Sequence, residues 1–144
     1  MQIKYSEIIN YWNSNPCNGG WKKKFKINSE ISPRVLEIGC GTGNDAKKFI
    51  EARTIYTGID LTPAAVLLTK LKIGNKGKVV VMNAEYLDFP DNYFDLVYSW
   101  GVIHHTINPV NVINEAYRVL KPYGVFYIMV YNKPSLRYNI EIMF

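Results

Sequence analysis

Val35-Leu36-Glu37-Ile38-Gly39-Cys40-Gly41-Thr42-Gly43-Asn44 is a short apolar run that ends in an acidic residue and opens into glycines at alternate positions. Downstream, Ile55-Tyr56-Thr57-Gly58-Ile59 forms a second apolar run, closed by Asp60. In physical terms the order is strand, Gly-rich turn, helix, strand, carboxylate. Alternating glycines let the backbone turn tightly and approach a ligand without Cβ clashes. The pattern predicts a site for a ribose-bearing cofactor. Asp60, at the end of the second strand, can accept hydrogen bonds from both ribose hydroxyls. An Asp there can also be a plain helix N-terminal residue, because Thr62-Pro63 follows. The Gly turn at the right distance upstream favours the functional role.

The spacing narrows the ligand. The dinucleotide fingerprint is G-x-G-x-x-G, with the helix N-terminus facing a pyrophosphate. Here the spacing is G-x-G-x-G, and Asn44 stands where the third fingerprint Gly belongs. Glu37, just ahead of the glycines, would repel a pyrophosphate and suits a ligand with a positive charge. A nicotinamide-dependent oxidoreductase is therefore disfavoured.

Outward from this core, strands are expected at 34–38, 55–59, 79–82, 94–100 and 125–131, with a helix over 44–51. Thr62-Pro63 and Asn108-Pro109 each read as an N-cap followed by proline at the first helical position. Ala65, Leu68 and Leu71/Lys72 form the expected apolar stripe of the first of these helices, which Gly74 stops. Ile113, Ala116, Tyr117 and Leu120 form that of the second, which Lys121-Pro122 ends. Strands alternating with helices predict an α/β fold: a doubly wound parallel sheet in a three-layer α/β/α arrangement. With right-handed crossovers the strand order is 3-2-1-4-5, and the ligand sits at the carboxyl ends of strands one and four.

The chain has 144 residues, enough for one core, and its 48% hydrophobic content excludes a disordered protein. No apolar run approaches the ~20 residues needed to span a membrane, and nothing at the start reads as a signal peptide. Cys17 and Cys40 make no disulfide framework and lack neighbours at zinc-ligand spacing, so no metal is expected and a cytoplasmic setting is the default. The formal charge is +5. Its only dense cluster, Lys22, Lys23, Lys24 and Lys26, reads first as a solvated basic segment, with RNA, phosphate or a membrane surface as alternatives.

At this point the chain resembles the class I S-adenosylmethionine-dependent methyltransferases, whose sheet is Rossmann-like. Glu37-Ile38-Gly39-Cys40-Gly41-Thr42-Gly43 is similar to their glycine-rich first motif, and Gly58-Ile59-Asp60 to the end of their second strand. Asn83-Ala84-Glu85 with Leu87-Asp88-Phe89-Pro90 resembles the turn that receives adenine. Phe94-Asp95-Leu96-Val97 and Gly101-Val102-Ile103-His104-His105 resemble the fourth strand and its loop, and Arg118-Val119-Leu120-Lys121-Pro122 the helix end before strand five. The resemblance covers roughly residues 33–132. It implies that Glu37, Gly39, Gly41 and Gly43 line the methionine part of S-adenosyl-L-methionine, with Cys40 a small apolar residue within that turn. It implies that Asp60 holds the ribose with Leu61 against the adenine, that Asn83, Ala84 and Glu85 meet the adenine edge, and that Ser99, Trp100 and Gly101 close the pocket near the sulfonium. The family usually has Asp at Asn83 and Gly at Tyr123. The product would be S-adenosyl-L-homocysteine and the acceptor a small molecule. Ser99-Trp100-Gly101-Val102 in place of an Asn-Pro-Pro-Tyr-type motif argues against amino methylation of a nucleic-acid base.

His104 and His105 stand at the rim of the expected pocket, where a histidine can act as general base. The alternative is that one packs or orients the loop while the other faces solvent. Residues 1–32 are expected as an N-terminal helical segment, either a lid bearing Tyr11, Trp12 and Trp21 or a helix on the sheet edge, and 33–144 as the cofactor-binding core. After strand five, 132–144 is too short for the helix and two strands that usually complete such a sheet. The sequence thus reads as a truncated core with an exposed apolar edge, which predicts a homodimer or poor solubility. Alternatives are a cofactor-binding fragment inactive without a partner or its missing half, and an RNA methyltransferase.

Overall fold

The computed structural model describes residues 32–131. The expectations placed on 1–31 (the lid aromatics, Cys17 and the Lys22–Lys26 cluster) and on 132–144 lie outside the described residues.

Five strands form one parallel sheet: β1 (Arg34–Ile38), β2 (Ile55–Asp60), β3 (Lys78–Val81), β4 (Phe94–Trp100) and β5 (Leu120–Met129). Their order is β3-β2-β1-β4-β5, as the alternation of strand and helix predicts. The winding reverses between β1 and β4, so their carboxyl ends open a crevice. Helices α1 (Asn44–Glu51) and α2 (Pro63–Ile73) cover one face, where Val35, Phe49, Tyr56, Val66, Val79 and Tyr98 pack together. Helix α3 (Pro109–Val119) covers the other, over Leu36, Ile38, Ile59, Val97, Val112 and Ala116. The sheet is buried on both sides at its centre, which is why β1 reads as an apolar run rather than an alternation.

Both Thr-Pro and Asn-Pro starts behave as caps. The Thr62 hydroxyl accepts from Ala65 N–H at 3.3 Å and the Asn108 side chain from Asn111 N–H at 3.1 Å, each with proline in the first turn. Gly74 ends α2 with φ 60°.

Both helices are rotated from the expected stripes. Helix α2 buries Ala65, Val66, Thr69 and Ile73, while Leu68 and Leu71 point outward, the latter 73% exposed. The cause is Thr69, whose hydroxyl donates to the Gly41 carbonyl at 3.0 Å and so turns a polar side chain inward to the Gly turn. Helix α3 buries Val112, Ala116 and Val119 and exposes Ile113 and Tyr117. Here Glu115 and Arg118 reach across to the β3–β4 connection and set the rotation. Strand β3 begins one residue earlier than expected. Strand β5 begins at Leu120, five residues earlier, through a register irregularity opposite Phe94–Leu96.

Candidate functional site

At the carboxyl ends of β1, β2 and β4 lies a cavity whose walls come from four connections. The β1–α1 turn contributes Glu37, Gly39, Cys40 and Gly41, together with Thr42, Asn44 and Asp45. The end of β2 contributes Asp60, Leu61 and Thr62; the stretch after β3 contributes Met82, Asn83 and Ala84; the stretch after β4 contributes Trp100, Gly101, Val102, His105 and Thr106.

The Gly turn is shaped by close approach. Gly39 has φ 79°, and a Cβ there would fall 2.3 Å from Val102 Cγ2, inside the β4 loop. The turn is also tied to β2. Asp60 Oδ2 accepts from Gly41 N–H at 3.1 Å, while Oδ1 accepts from Thr62 N–H and the Thr62 hydroxyl, both at 2.9 Å. Gly39 N–H and Cys40 N–H both donate to the Ile59 carbonyl, at 2.8 and 3.0 Å. Asp60 is thereby fixed in orientation while remaining on the cavity wall.

Among the described residues three carboxylates face this small volume: Glu37, Asp45 and Asp60. Asp45, in the first turn of α1, accepts from the Tyr98 hydroxyl at 3.0 Å and from Lys48 Nζ at 2.5 Å. Glu37 Oε2 accepts from the Tyr56 hydroxyl at 2.5 Å. Burial in the sheet centre, reinforced by the charges of Asp45 and Asp60, pushes the Glu37 carboxyl up to about 8, against the lowering effect of the Tyr56 hydrogen bond and Lys48. Burial likewise pushes the Cys40 thiol far above its ordinary range, so it is a small packing group rather than a nucleophile.

Four expected residues lie off the cavity wall. Gly43 serves instead as the left-handed N-cap of α1, with φ 75°, packed on Thr69. Ser99 is buried, and its hydroxyl donates to the Ile38 carbonyl at 3.3 Å, joining β4 to β1. Glu85 is buried in a scaffold: Oε1 accepts from Asn108 N–H at 2.8 Å, and its carbonyl accepts from Asn111 Nδ2 at 2.7 Å. His104 packs its ring 4.3 Å from that of Tyr131, whereas His105 is on the wall. Asn83 Oδ1 accepts from Glu85 N–H at 3.0 Å, so one lone pair is spent on the turn that presents Ala84.

Asp45, Thr62, Met82, Val102 and Thr106 join the wall without a site role having been expected of them. Asp45 is the residue whose position signalled it: a carboxylate in the helix turn that follows the glycines. Among the described residues no helix is long and apolar enough to cross a membrane.

A protein-family model described as a methyltransferase domain matches residues 36–128. An uncharacterized protein of Methanocaldococcus jannaschii is 36% identical over 114 residues, which cover 79% of this chain and 47% of that protein. The ubiquinone/menaquinone biosynthesis C-methyltransferase UbiE of Pectobacterium carotovorum is 32% identical over 114 residues, covering 72% of this chain and 45% of that protein. Among solved structures, a SAM-dependent methyltransferase from Methanosarcina mazei aligns with a TM-score of 0.58 at 29% identity, covering 63% of this chain and 49% of that one. The chain spans about half the length of the curated relatives it matches.

Proposed function

Because this chain belongs to the methyltransferase domain family, we propose that its cavity binds S-adenosyl-L-methionine and presents the methyl group to a small-molecule acceptor. The observation that carries this reading is the placement of Asp60. Its two oxygens are oriented by Gly41 and Thr62 at the carboxyl end of β2, within the same cavity as Glu37 and the close-approaching Gly39. When bound, S-adenosyl-L-methionine supplies a methyl group on a sulfonium, an activated electrophile that leaves S-adenosyl-L-homocysteine behind.

The chain's own residues then have separable tasks. Asp60 accepts from the ribose hydroxyls. Glu37 and Asp45 give the methionine end an acidic surround suited to cationic groups, and Leu61, Asn83 and Ala84 border the adenine. Gly39 and Gly41 let the backbone come close to the ligand without side-chain obstruction. Trp100, Gly101 and Val102 wall the cavity on the β4 side. Alignment of donor and acceptor is the main catalytic contribution of such a site. Of the two histidines, His105 is the one placed to take a proton from an acceptor, and His104 supports the loop. The similarity to a quinone-biosynthesis C-methyltransferase supports a small-molecule acceptor.

Calorimetric titration of S-adenosyl-L-homocysteine against wild type, Asp60→Asn and Asp60→Ala tests the reading. Micromolar binding is expected, weakened by about 100-fold in Asp60→Ala, since hydrogen bonds to a charged acceptor contribute about 1.5–3 kcal/mol. Asp60→Asn, which keeps one acceptor for Thr62, separates ligand loss from loss of the turn. Absence of binding by the folded wild type, or tight binding of NADH instead, overturns it.

A further inference from the structure

Tyr56 is a buried phenol that the functional reading above leaves unused. Glu37 and Gly58 are register partners on adjacent strands, and Glu37 and Tyr98 are partners on the other side. Tyr56 lies two residues before Gly58, hence on the same face of β2. Its ring runs along the strand over Gly58 to reach Glu37. A Cβ on Gly58 would fall 2.4 Å from the Tyr56 hydroxyl oxygen, and one on Gly77 would fall 2.8 Å from Tyr56 Cδ1. Two side-chain-free positions thus make the slot through which one phenol meets one carboxyl.

The three wall carboxylates are served differently. Asp60 accepts backbone N–H groups and a hydroxyl, and Asp45 accepts Lys48 Nζ as well as the Tyr98 hydroxyl. Glu37, 4% exposed, meets a neutral phenol. Burial and the nearby Glu37 carboxyl push the Tyr56 phenol well above its ordinary range, so it remains a donor. An ionised carboxylate held there is costly to desolvate without a cation. Among the described residues, the groups facing Glu37 are Tyr56 and Asp60 from β2, Asp45 and Lys48 from α1, Tyr98 from β4 and Cys40 from the turn. Of these only Lys48 is cationic, and its Nζ sits on Asp45.

We propose that Tyr56 is a positioning residue that holds the Glu37 carboxyl in the cavity wall as a proton-exchanging seat, so that an ammonium-bearing ligand enters by displacing a proton from Glu37 to solvent. This rests on the reading of the cavity as an S-adenosyl-L-methionine site and adds to it a coupling between ligand charge and pH. With a phenol as its partner and Lys48 Nζ placed on Asp45, the buried carboxyl has its charge uncompensated among the described residues and holds a proton at neutral pH when no ligand is bound. A ligand ammonium then replaces the proton as counter-charge, while a ligand with the same nucleoside but no ammonium leaves the proton in place.

The test compares S-adenosyl-L-homocysteine with 5′-methylthioadenosine, which keeps the nucleoside thioether and lacks the ammonium. Each is titrated into the wild-type chain by calorimetry at pH 7 in two buffers of different ionisation enthalpy. The homocysteine ligand should release close to one proton per site and the methylthio ligand none. Affinity for the former should rise about tenfold per pH unit from pH 6 to 7, the behaviour of one linked proton. Tyr56→Phe, its fold checked by a cooperative melt, should lower the ratio of the two affinities about tenfold at pH 7 and move the rise to higher pH. A merely structural tyrosine would change both ligands alike and leave the pH profile in place. Equal proton release by the two ligands, or an unmoved profile in Tyr56→Phe, overturns the inference while leaving the cofactor reading intact. Failure of S-adenosyl-L-homocysteine to bind the folded wild type overturns both.

Discussion

The cavity is held from two sides by different means. On the β1–β2 side, neighbouring strand ends meet directly: Asp60 ties Gly41 and Thr62, the Ile59 carbonyl receives Gly39 and Cys40, and Tyr56 reaches Glu37 across Gly58. On the other side the stretch from Asn83 to Asp91 has no strand of its own and is held by α3. Arg118 donates to the carbonyls of Leu87 and Phe89, both at 2.8 Å, and to Asp91 at 2.7 Å, while pairing with both oxygens of Glu115. Glu115 in turn accepts from Leu87 N–H at 2.7 Å. Acidic groups around the cavity accordingly concentrate on the first side, where Glu37, Asp45 and Asp60 line it. On the second side charge is neutralised within the scaffold and the cavity surface is left to Met82, Asn83 and Ala84.

The sharpest way to probe the acidic side is through its dependence on pH. Glu37 binds its proton more tightly folded, near 8, than at its ordinary value of 4.5. Between those values the folded state holds more protons than the unfolded one, so this group's contribution to stability falls as pH rises from 4.5 toward 8 and is level above that. Glu37→Gln removes the titration. Urea unfolding midpoints from pH 5 to 8 should show the variant gaining on the wild type by roughly 3–4 kcal/mol over that range, at about 1.36 kcal/mol per unit. Parallel profiles would mean that Glu37 is already ionised in the folded protein, and the acidic side would then carry all three of its carboxylates as charges.

Breaking the scaffold side takes one residue. Arg118→Ala leaves two carbonyls without this donor and the Glu115 carboxylate with Leu87 N–H in place of a cation, and a loss of about 3 kcal/mol is expected from hydrogen bonds to charged groups. Asp91 is exposed, so its pair with Arg118 adds little. Hydrogen exchange locates the effect: the Leu87 amide should lose protection while Gly41 keeps its own. Arg118→Lys should recover little, because an ammonium cannot span four acceptors in a planar fork. Uniform loosening of both amides would show that the two sides are one cooperative unit.

The same contrast explains what could be read from the sequence. The strand order, the capped helix starts and the placement of Glu37, the glycines and Asp60 follow from local spacing, because each feature and its partner lie at adjacent strand ends. Glu85 invited a ligand role because its partners, Asn108 and Asn111, lie on another element and no local pattern signals them. The apolar stripes expected of α2 and α3 differ from the faces they bury for a like reason. Thr69, Glu115 and Arg118 turn polar groups toward distant backbone, and counting apolar residues alone assigns those positions to solvent. Tyr56 shows the limit from the other direction. Its apolar surroundings mark it as core, and only the register with Gly58 and Glu37 reveals the hydroxyl's target.

The smallest expected effect belongs to neither side. Tyr123 has φ 63° and a fully exposed side chain, in the turn within β5 where the family usually carries glycine. A left-handed conformation costs a non-glycine residue about 1–2 kcal/mol, and glycine's greater unfolded-state freedom returns about 0.5–1 kcal/mol of that. Because the exposed ring contributes little burial, Tyr123→Gly should raise stability by about 0.5–1 kcal/mol, seen as a higher urea midpoint with unchanged slope. S-adenosyl-L-homocysteine affinity should stay as in wild type, since this turn lies at the opposite end of the sheet from the cavity, beside the amino end of β4. A change in affinity would mean that β5 transmits strain along its length to Met129, whose carbonyl accepts from Gly101 N–H at 3.0 Å on the cavity's β4 side. The cavity would then have a third support, and the division between a strand-end side and a scaffold side would need β5 as a separate member.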